Sequence, residues 1–300
     1  MQQTSIIRRI AYQPKKFAEA VNRQFTLPRY MNTRWITHGM MYERYHKRCQ
    51  EVWQERGEPL SEAEIQNVSE LEANGRSIVP PGARESELAG KIQKRFDELI
   101  ADPSQRAVTT DPYRHMLNHS VEQIPEIRQI LEGRFACMFE RLFQSNFKIF
   151  EIETYRNLPN VQYQHQWMWH FDNDAYPVYK LIFYLTDTTV SNGPIAIHSK
   201  QSTIELFKDG FYNPYAPGDR LDMLNEPSRS VKVTGPAGTA VLFQNNCIHR
   251  ATPPLEGFRD VVSFMVQPSM ETWEQHFDRM GPKLCQVWRP VHQPVDPTLD

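Results

Sequence analysis

His170 and Asp172 stand two residues apart, and His249 and Arg259 follow much later in the chain. Two imidazoles and one carboxylate suit one face of an octahedral divalent ion, the facial arrangement of non-haem Fe(II) sites. Three ligands of this kind leave three positions open, enough for O2 and a bidentate organic co-substrate. A guanidinium grips a carboxylate through two parallel hydrogen bonds, so Arg259 suits the far end of a dicarboxylate co-substrate.

The elements around these residues should aim them. In a strand, residues i and i+2 share a side. His170 and Asp172 can then face one ion while Trp169 and Phe171 pack the other way. Thr239 to Phe243 reads as a strand leading to His249. Arg259 to Met265 reads as another, with Arg259, Val261 and Ser263 on one face. If that face lines a barrel, Arg259 points inward, one co-substrate length from the ion. Plainer roles exist for each residue. His170 and Asp172 could be a surface pair, and Arg259 could bridge to Asp260 or Glu256. Lys180, eight residues after Asp172, could point inward to a carboxylate or snorkel outward. His165 and His198 have no partner at ligand spacing and read as structural or outer-sphere residues. Trp167, Met168 and Trp169 read as core, and Cys247 as inert.

Residues from about 150 to 268 resemble the phytanoyl-CoA dioxygenase-like family of Fe(II)/2-oxoglutarate oxygenases. The likeness is carried in order by Trp169-His170-Phe171-Asp172, Lys180 to Asp187, Asn192-Gly193-Pro194, Gly238 to Phe243, His249-Arg250 and Arg259. The resemblance implies a double-stranded β-helix (a jelly roll, cupin-like). It implies His170, Asp172 and His249 as the iron ligands at the catalytic centre, and Arg259 as the clamp on the distal carboxylate of 2-oxoglutarate. Lys180, Thr252 and Ser263 are further candidates for contact with that co-substrate. The implied reaction takes up O2, converts 2-oxoglutarate to succinate and CO2, and hydroxylates an unactivated C–H bond of a small molecule. Asp172 fills the position that related halogenases leave open for halide, which favours hydroxylation, desaturation or ring closure. Two departures from the family pattern stand out. Ser199-Lys200-Gln201-Ser202 replaces a common Pro-Gly-Ser-His run, and Ala251 stands where many members have serine.

Three other readings stay open at this level. One is a metal enzyme on the same barrel, an isomerase or a self-oxidising dioxygenase, that ignores 2-oxoglutarate. Another is a non-catalytic barrel acting as sensor or interaction module. The third is a hydroxylase of protein or nucleic acid.

The period of the sequence changes near residue 145. Before it the pattern is mostly helical. Ser61 to Glu64 is a capping box, and its helix should stop at Asn74-Gly75. Arg76 to Pro80 reads as a short strand entering the core. Leu88, Ile92, Phe96 and Leu99 recur at helical spacing up to Asp102-Pro103, and a third helix is expected from Pro125 to Gln144, burying Ile127, Leu131, Phe135 and Phe139. After 145, Lys148 to Tyr155 and Tyr179 to Leu185 read as strands, and Asn192-Gly193-Pro194 and Pro236-Ala237-Gly238 as turns. Many short strands argue for a sandwich or jelly roll. Residues 1–145 are expected to form a helical part on one outer sheet face, 146–270 the catalytic core and 271–300 a C-terminal extension, all in one folded unit. A strand is expected to end near Thr203, followed by a long irregular stretch with Phe207, Phe211, Tyr212 and Tyr215 that could cover the iron.

The chain has 300 residues, a net charge of −2 and 40% hydrophobic residues. The charge gives no reason to expect a specific nucleic-acid partner. No apolar run approaches the ~18 residues of a membrane span. The four cysteines lack paired spacing, so neither a zinc site nor a disulfide framework is indicated, and free thiols fit the cytoplasm. The first 60 residues are richer in Lys and Arg than in Asp and Glu. That bias reads as a solvated helix face and an arm, with a transit peptide as the other reading.

Overall fold

A computed structural model describes residues 33–56, 59–102, 104, 107–159, 168–172, 178–209 and 230–285. His165, Trp167, residues 210–229 and the tail beyond 285 lie outside the described residues, as does the basic segment before 33.

Helix α1 spans Thr33–Val52 and α2 spans Glu62–Asn74. Ser61 and Glu64 close the capping box at the start of α2, and Gly75 ends the helix with φ 72°. Only a residue that tolerates the left-handed region turns the chain so sharply. Strand β1 (Arg76–Val79) follows at once, then α3 (Ala83–Ala101), which buries Leu88, Ile92, Phe96 and Leu99. Strands β2 (Val108–Asp111) and β3 (Arg114–Leu117) form a hairpin. The helical pattern gave no sign of this hairpin. After the short α4 (Ser120–Gln123), the single helix expected from Pro125 to Gln144 is two pieces. A 3-10 segment covers Pro125–Ile130, and α5 begins at Arg134 and ends at Phe143. Gly133, with φ 82°, breaks them. The expected apolar positions Ile127, Leu131, Phe135 and Phe139 are all buried.

The remaining strands are β4 (Asn146–Asn157), β5 (Tyr179–Tyr184), β6 (Ile195–His198), β7 (Ser230–Val233), β8 (Ala240–Gln244), β9 (His249–Ala251) and β10 (Arg259–Ser269). One sheet of seven strands runs β1-β8-β5-β10-β4-β3-β2, and a smaller one runs β7-β6-β9. Every pairing between these strands is antiparallel. Thr203 is not at a strand end. It sits in helix α6 (Lys200–Lys208), which Ser199 caps through the amide of Ser202.

The large sheet sorts its side chains by the period of two. Leu181, Phe183, Leu242, Val262 and Phe264 face outward into the main apolar cluster. That cluster takes Leu71 from α2, Phe96 from α3, Phe139 from α5, and Trp273 and Phe277 from the last helix, α7 (Trp273–Leu284). Each such side chain contributes about 1.5–3 kcal/mol by leaving water. Ile182, Tyr184, Val241, Phe243 and Val261 face inward and meet Ile195, Ile197 and Val233 of the small sheet. The interior between the sheets is therefore separate from the core beneath the helices.

One charged cluster holds the outer face. Arg156 donates to both carboxylate oxygens of Asp260, at 2.7 and 2.6 Å, and also to Asp97 of α3. Its guanidinium lies 3.8 Å from the ring centre of Phe258. Asp260 thus pairs across β4 and β10 on the side opposite Arg259.

Candidate metal centre

The backbone brings the two histidines together before any ion is involved. His170 and His249 exchange both main-chain hydrogen bonds, at 2.9 and 2.8 Å, across an isolated antiparallel bridge that adds residue 170 beside β9. The Asp172 amide donates to the carbonyl of Asn245. This short extended stretch turns His170 and Asp172 to one side. Trp169, on the other side, is 1% exposed and packs edge-on against His198, ring centres 4.6 Å apart. His198 is fully buried beside Ser202, in keeping with a structural role.

His170, Asp172 and His249 each present one ligand atom, and all three atoms lie within 4.8 Å of one another. Nε2 of His170 is 3.8 Å from Oδ1 of Asp172, and Nε2 of His249 is 4.0 Å from Oδ2. Ligands about 2.1 Å from one ion at right angles sit about 3 Å apart, so the set closes on an ion with a shift under ~1 Å.

The protonation states suit a cation. Nδ1 of His170 lies 2.8 Å from the carbonyl of Met168, and Nδ1 of His249 lies 2.8 Å from that of Cys247. A carbonyl only accepts, so each Nδ1 carries the proton and each Nε2 offers its lone pair to the centre. The same device, a carbonyl two residues upstream, orients both rings. Burial and the neighbouring His170 push the His249 imidazole down to about 3, so it is neutral at ordinary pH. Burial also lowers His170. Burial alone would raise the Asp172 carboxyl, but Lys180 and the two imidazoles outweigh it and hold the group well below the usual carboxylate range. Two neutral nitrogen donors and one carboxylate fit a divalent transition metal.

Lys180, a candidate for co-substrate contact, is placed on Asp172 instead. Its Nζ donates to Oδ2 at 2.8 Å. The inward reading of Lys180 holds, and the carboxylate it meets is that of Asp172, the acid of the triad.

Arg259 is 1% exposed and enters the interior near the far end of the inward rows from Lys180, whose cross-strand partner on β10 is Met265. One Nη of Arg259 donates to the carbonyl of Gly193, and its Nε is buried without a partner. Gly193 has φ 90°, and a Cβ there would meet the carbonyl oxygen of Thr252 at 2.8 Å. The turn that receives Arg259 therefore needs glycine. Thr252 donates its hydroxyl to the carbonyl of Pro194, so that proton is already used within the turn. Ser263 is 4% exposed, on an inner rung with Glu153 and Ile182.

Strand β4 contributes residues that the motif did not reveal. Tyr155 and Asn157 share the inward face with Glu153, and Asn157 is directly opposite Arg259. Burial raises the Tyr155 phenol, and nearby Arg259 opposes it. Asn157 is 1% exposed, and neither polar atom of its amide has a partner. Burial likewise raises the Glu153 carboxyl, opposed by Lys180 and Arg114. The unpaired atoms of Asn157 and Arg259 are the signal for these positions, and it appears only in three dimensions.

No family model matches the chain, and no curated protein matches it. Solved structures do match. The epimerase SnoN in complex with Fe3+, alpha ketoglutarate and nogalamycin RO shares 15% identity over 68% of this chain and 83% of its own, with a TM-score of 0.50. EctD from S. alaskensis with bound Fe shares 17% identity over 73% of this chain and 83% of its own, with a TM-score of 0.52. At that identity the likeness establishes the fold, a mainly antiparallel jelly roll of cupin type with helices, as expected.

Proposed function

We propose that this chain is an Fe(II)/2-oxoglutarate-dependent oxygenase of the phytanoyl-CoA dioxygenase-like kind. It hydroxylates an unactivated C–H bond of a small molecule and releases succinate and CO2. The observation that carries this reading is the His170–Asp172–His249 cluster, with both Nδ1 protons tied to backbone and both Nε2 atoms turned to one centre. The likeness to SnoN, bound to Fe3+ and alpha ketoglutarate, and to EctD, bound to Fe, supports it.

In this reading His170, Asp172 and His249 hold the iron. With O2 and the keto acid, the iron supplies the oxidising power. The protein supplies position. Arg259 takes the distal carboxylate, and its partnerless Nε and the neighbouring Asn157 amide explain why donors are left open there. Tyr155, one rung along, adds a hydroxyl beside the clamp. Trp169 and Phe171, buried behind the triad, keep water from its back. Residues 146–270 form the catalytic core. A net charge of −2 and free thiols at Cys49, Cys137, Cys247 and Cys285 agree with a cytoplasmic enzyme that has no specific nucleic-acid partner. No helix among the described residues is long and apolar enough to cross a membrane.

The test is an anaerobic titration of apo-protein with Fe(II) and then 2-oxoglutarate, read by the visible charge-transfer band of a keto acid chelated to Fe(II). The band should vanish in His170→Ala and weaken in Arg259→Ala. Bound iron with no band would remove 2-oxoglutarate from the mechanism and favour an isomerase or a dioxygenase that oxidises its own substrate.

A further inference from the structure

Asp172 is the only acid of the triad, and each histidine, with its Nδ1 proton given to a backbone carbonyl, turns Nε2 to the centre as a neutral donor. Its charge is already matched. The Lys180 ammonium sits 2.8 Å from Oδ2, and its side chain is only 14% exposed. The three ligands and Lys180 together therefore carry no net charge. Glu151 and Glu153, the other acids along this inner row of β4, stand outside ion-pair contact with Lys180, whose ammonium is paired with Asp172. An ion entering the triad would bring two positive charges into a walled interior that also holds Arg259. Without the lysine, the ligand carboxylate would leave only one charge unmatched. Charge inside a protein is costly unless matched, so the missing negative charge must come from whatever fills the open coordination positions.

We propose that Lys180 couples the metal to a dianionic chelator: the triad holds a divalent ion weakly by itself and tightly only when a dianion binds with it. Binding of each then strengthens the other by the same factor, as linkage requires. Lys180 is here a positioning and charge-setting residue, and it need not touch the dianion. The inference rests on the reading of the triad as a metal site and not on the identity of the co-substrate.

The experiment measures Co(II) affinity of the full chain at fixed pH, with free Co(II) corrected for its complex with the anion. It is run without anion, with oxalate and with 2-oxoglutarate, for wild type, Lys180→Met, Lys180→Gln and Lys180→Arg. Circular dichroism establishes that each variant is folded, and the two neutral variants back each other if one is not. In wild type, either dianion should tighten Co(II) by about 10- to 100-fold, within the usual range of coupling between sites. Both neutral variants should bind Co(II) alone more tightly than wild type and lose at least about fivefold of the coupling, while Lys180→Arg keeps it. Coupling with oxalate but none with 2-oxoglutarate supports the role of Lys180 and sinks the co-substrate reading. Coupling with 2-oxoglutarate alone would assign the effect to the Arg259 clamp and overturn the proposal. So would weaker Co(II) binding in both neutral variants, which would make Lys180 a simple brace. Wild-type coupling below about threefold for both anions overturns it as well.

Discussion

The two faces of the seven-stranded sheet carry arginines on neighbouring strands, yet they treat them differently. On the outer face Arg156 is saturated, with both oxygens of Asp260, Asp97 and the ring of Phe258 around it. On the inner face Arg259 has a carbonyl for one nitrogen and nothing for its Nε, and Asn157 opposite has nothing at all. A buried polar group without a partner costs about 1–3 kcal/mol. Arg156 avoids that cost, while Arg259 and Asn157 accept it. Stability is thus built on one side of the sheet, and the capacity to bind is left open on the other.

The sharpest way to break this contrast is to exchange its arginines. Arg156→Met should lower stability by about 3–5 kcal/mol, because it strands the Asp260 carboxylate in the core. Arg259→Met should change stability by less than ~1 kcal/mol while weakening co-substrate binding. Urea unfolding of the two variants reads this directly, and equal losses would end the comparison. A similar loss, about 3–5 kcal/mol, is expected for Phe264→Ala on the outer face.

Protons probe the same contrast more gently. His249 is neutral in the folded apo-protein, its imidazole pushed down to about 3 by burial and by His170. In the unfolded chain it takes a proton near pH 6.5. Below that pH the unfolded state binds more protons, so this contribution to stability is intact above about 6.5 and is lost as pH falls toward 3. The slope should reach at most about 1.4 kcal/mol per pH unit for this group. Denaturation of apo-protein at a series of pH values should show that slope flattened in His249→Ala. The smallest effect belongs to Ser263→Ala, next to Phe264 but facing inward. It should cost under about 0.5 kcal/mol, and a loss rivalling that of Phe264→Ala would show that the inner wall is part of the stabilising core.

The convergence of His170, Asp172 and His249 was legible in the sequence because it obeys local geometry. Two residues apart on an extended chain is one face, and strand patterns flank His249 and Arg259. Capping signals likewise marked α2 to the residue. The inner row of β4 was not legible. Glu151, Glu153, Tyr155 and Asn157 alternate with Ile152 and Thr154 as they would on a strand with one face in water. A polar interior and a solvated exterior give the same alternation, and only the closed sheet tells them apart. Helix α6 was missed for another reason. It is nine residues long and follows a strand directly, so its periodicity never accumulates. Gly133 was overlooked because apolar spacing continues across it, with buried residues on both sides of the break.

The exchange of main-chain hydrogen bonds between His170 and His249 bears on how an ion departs. Metals leave chelating sites stepwise, one donor swinging aside before the next. Here neither imidazole can swing far, since each ring is pinned through Nδ1 and its backbone is bound to the other's. If the triad holds an ion, Asp172 would be the donor to let go first, with the ammonium of Lys180 beside it. Exit would then be funnelled through the carboxylate, while the backbone pairing of the two histidines would hold their geometry for the next ion.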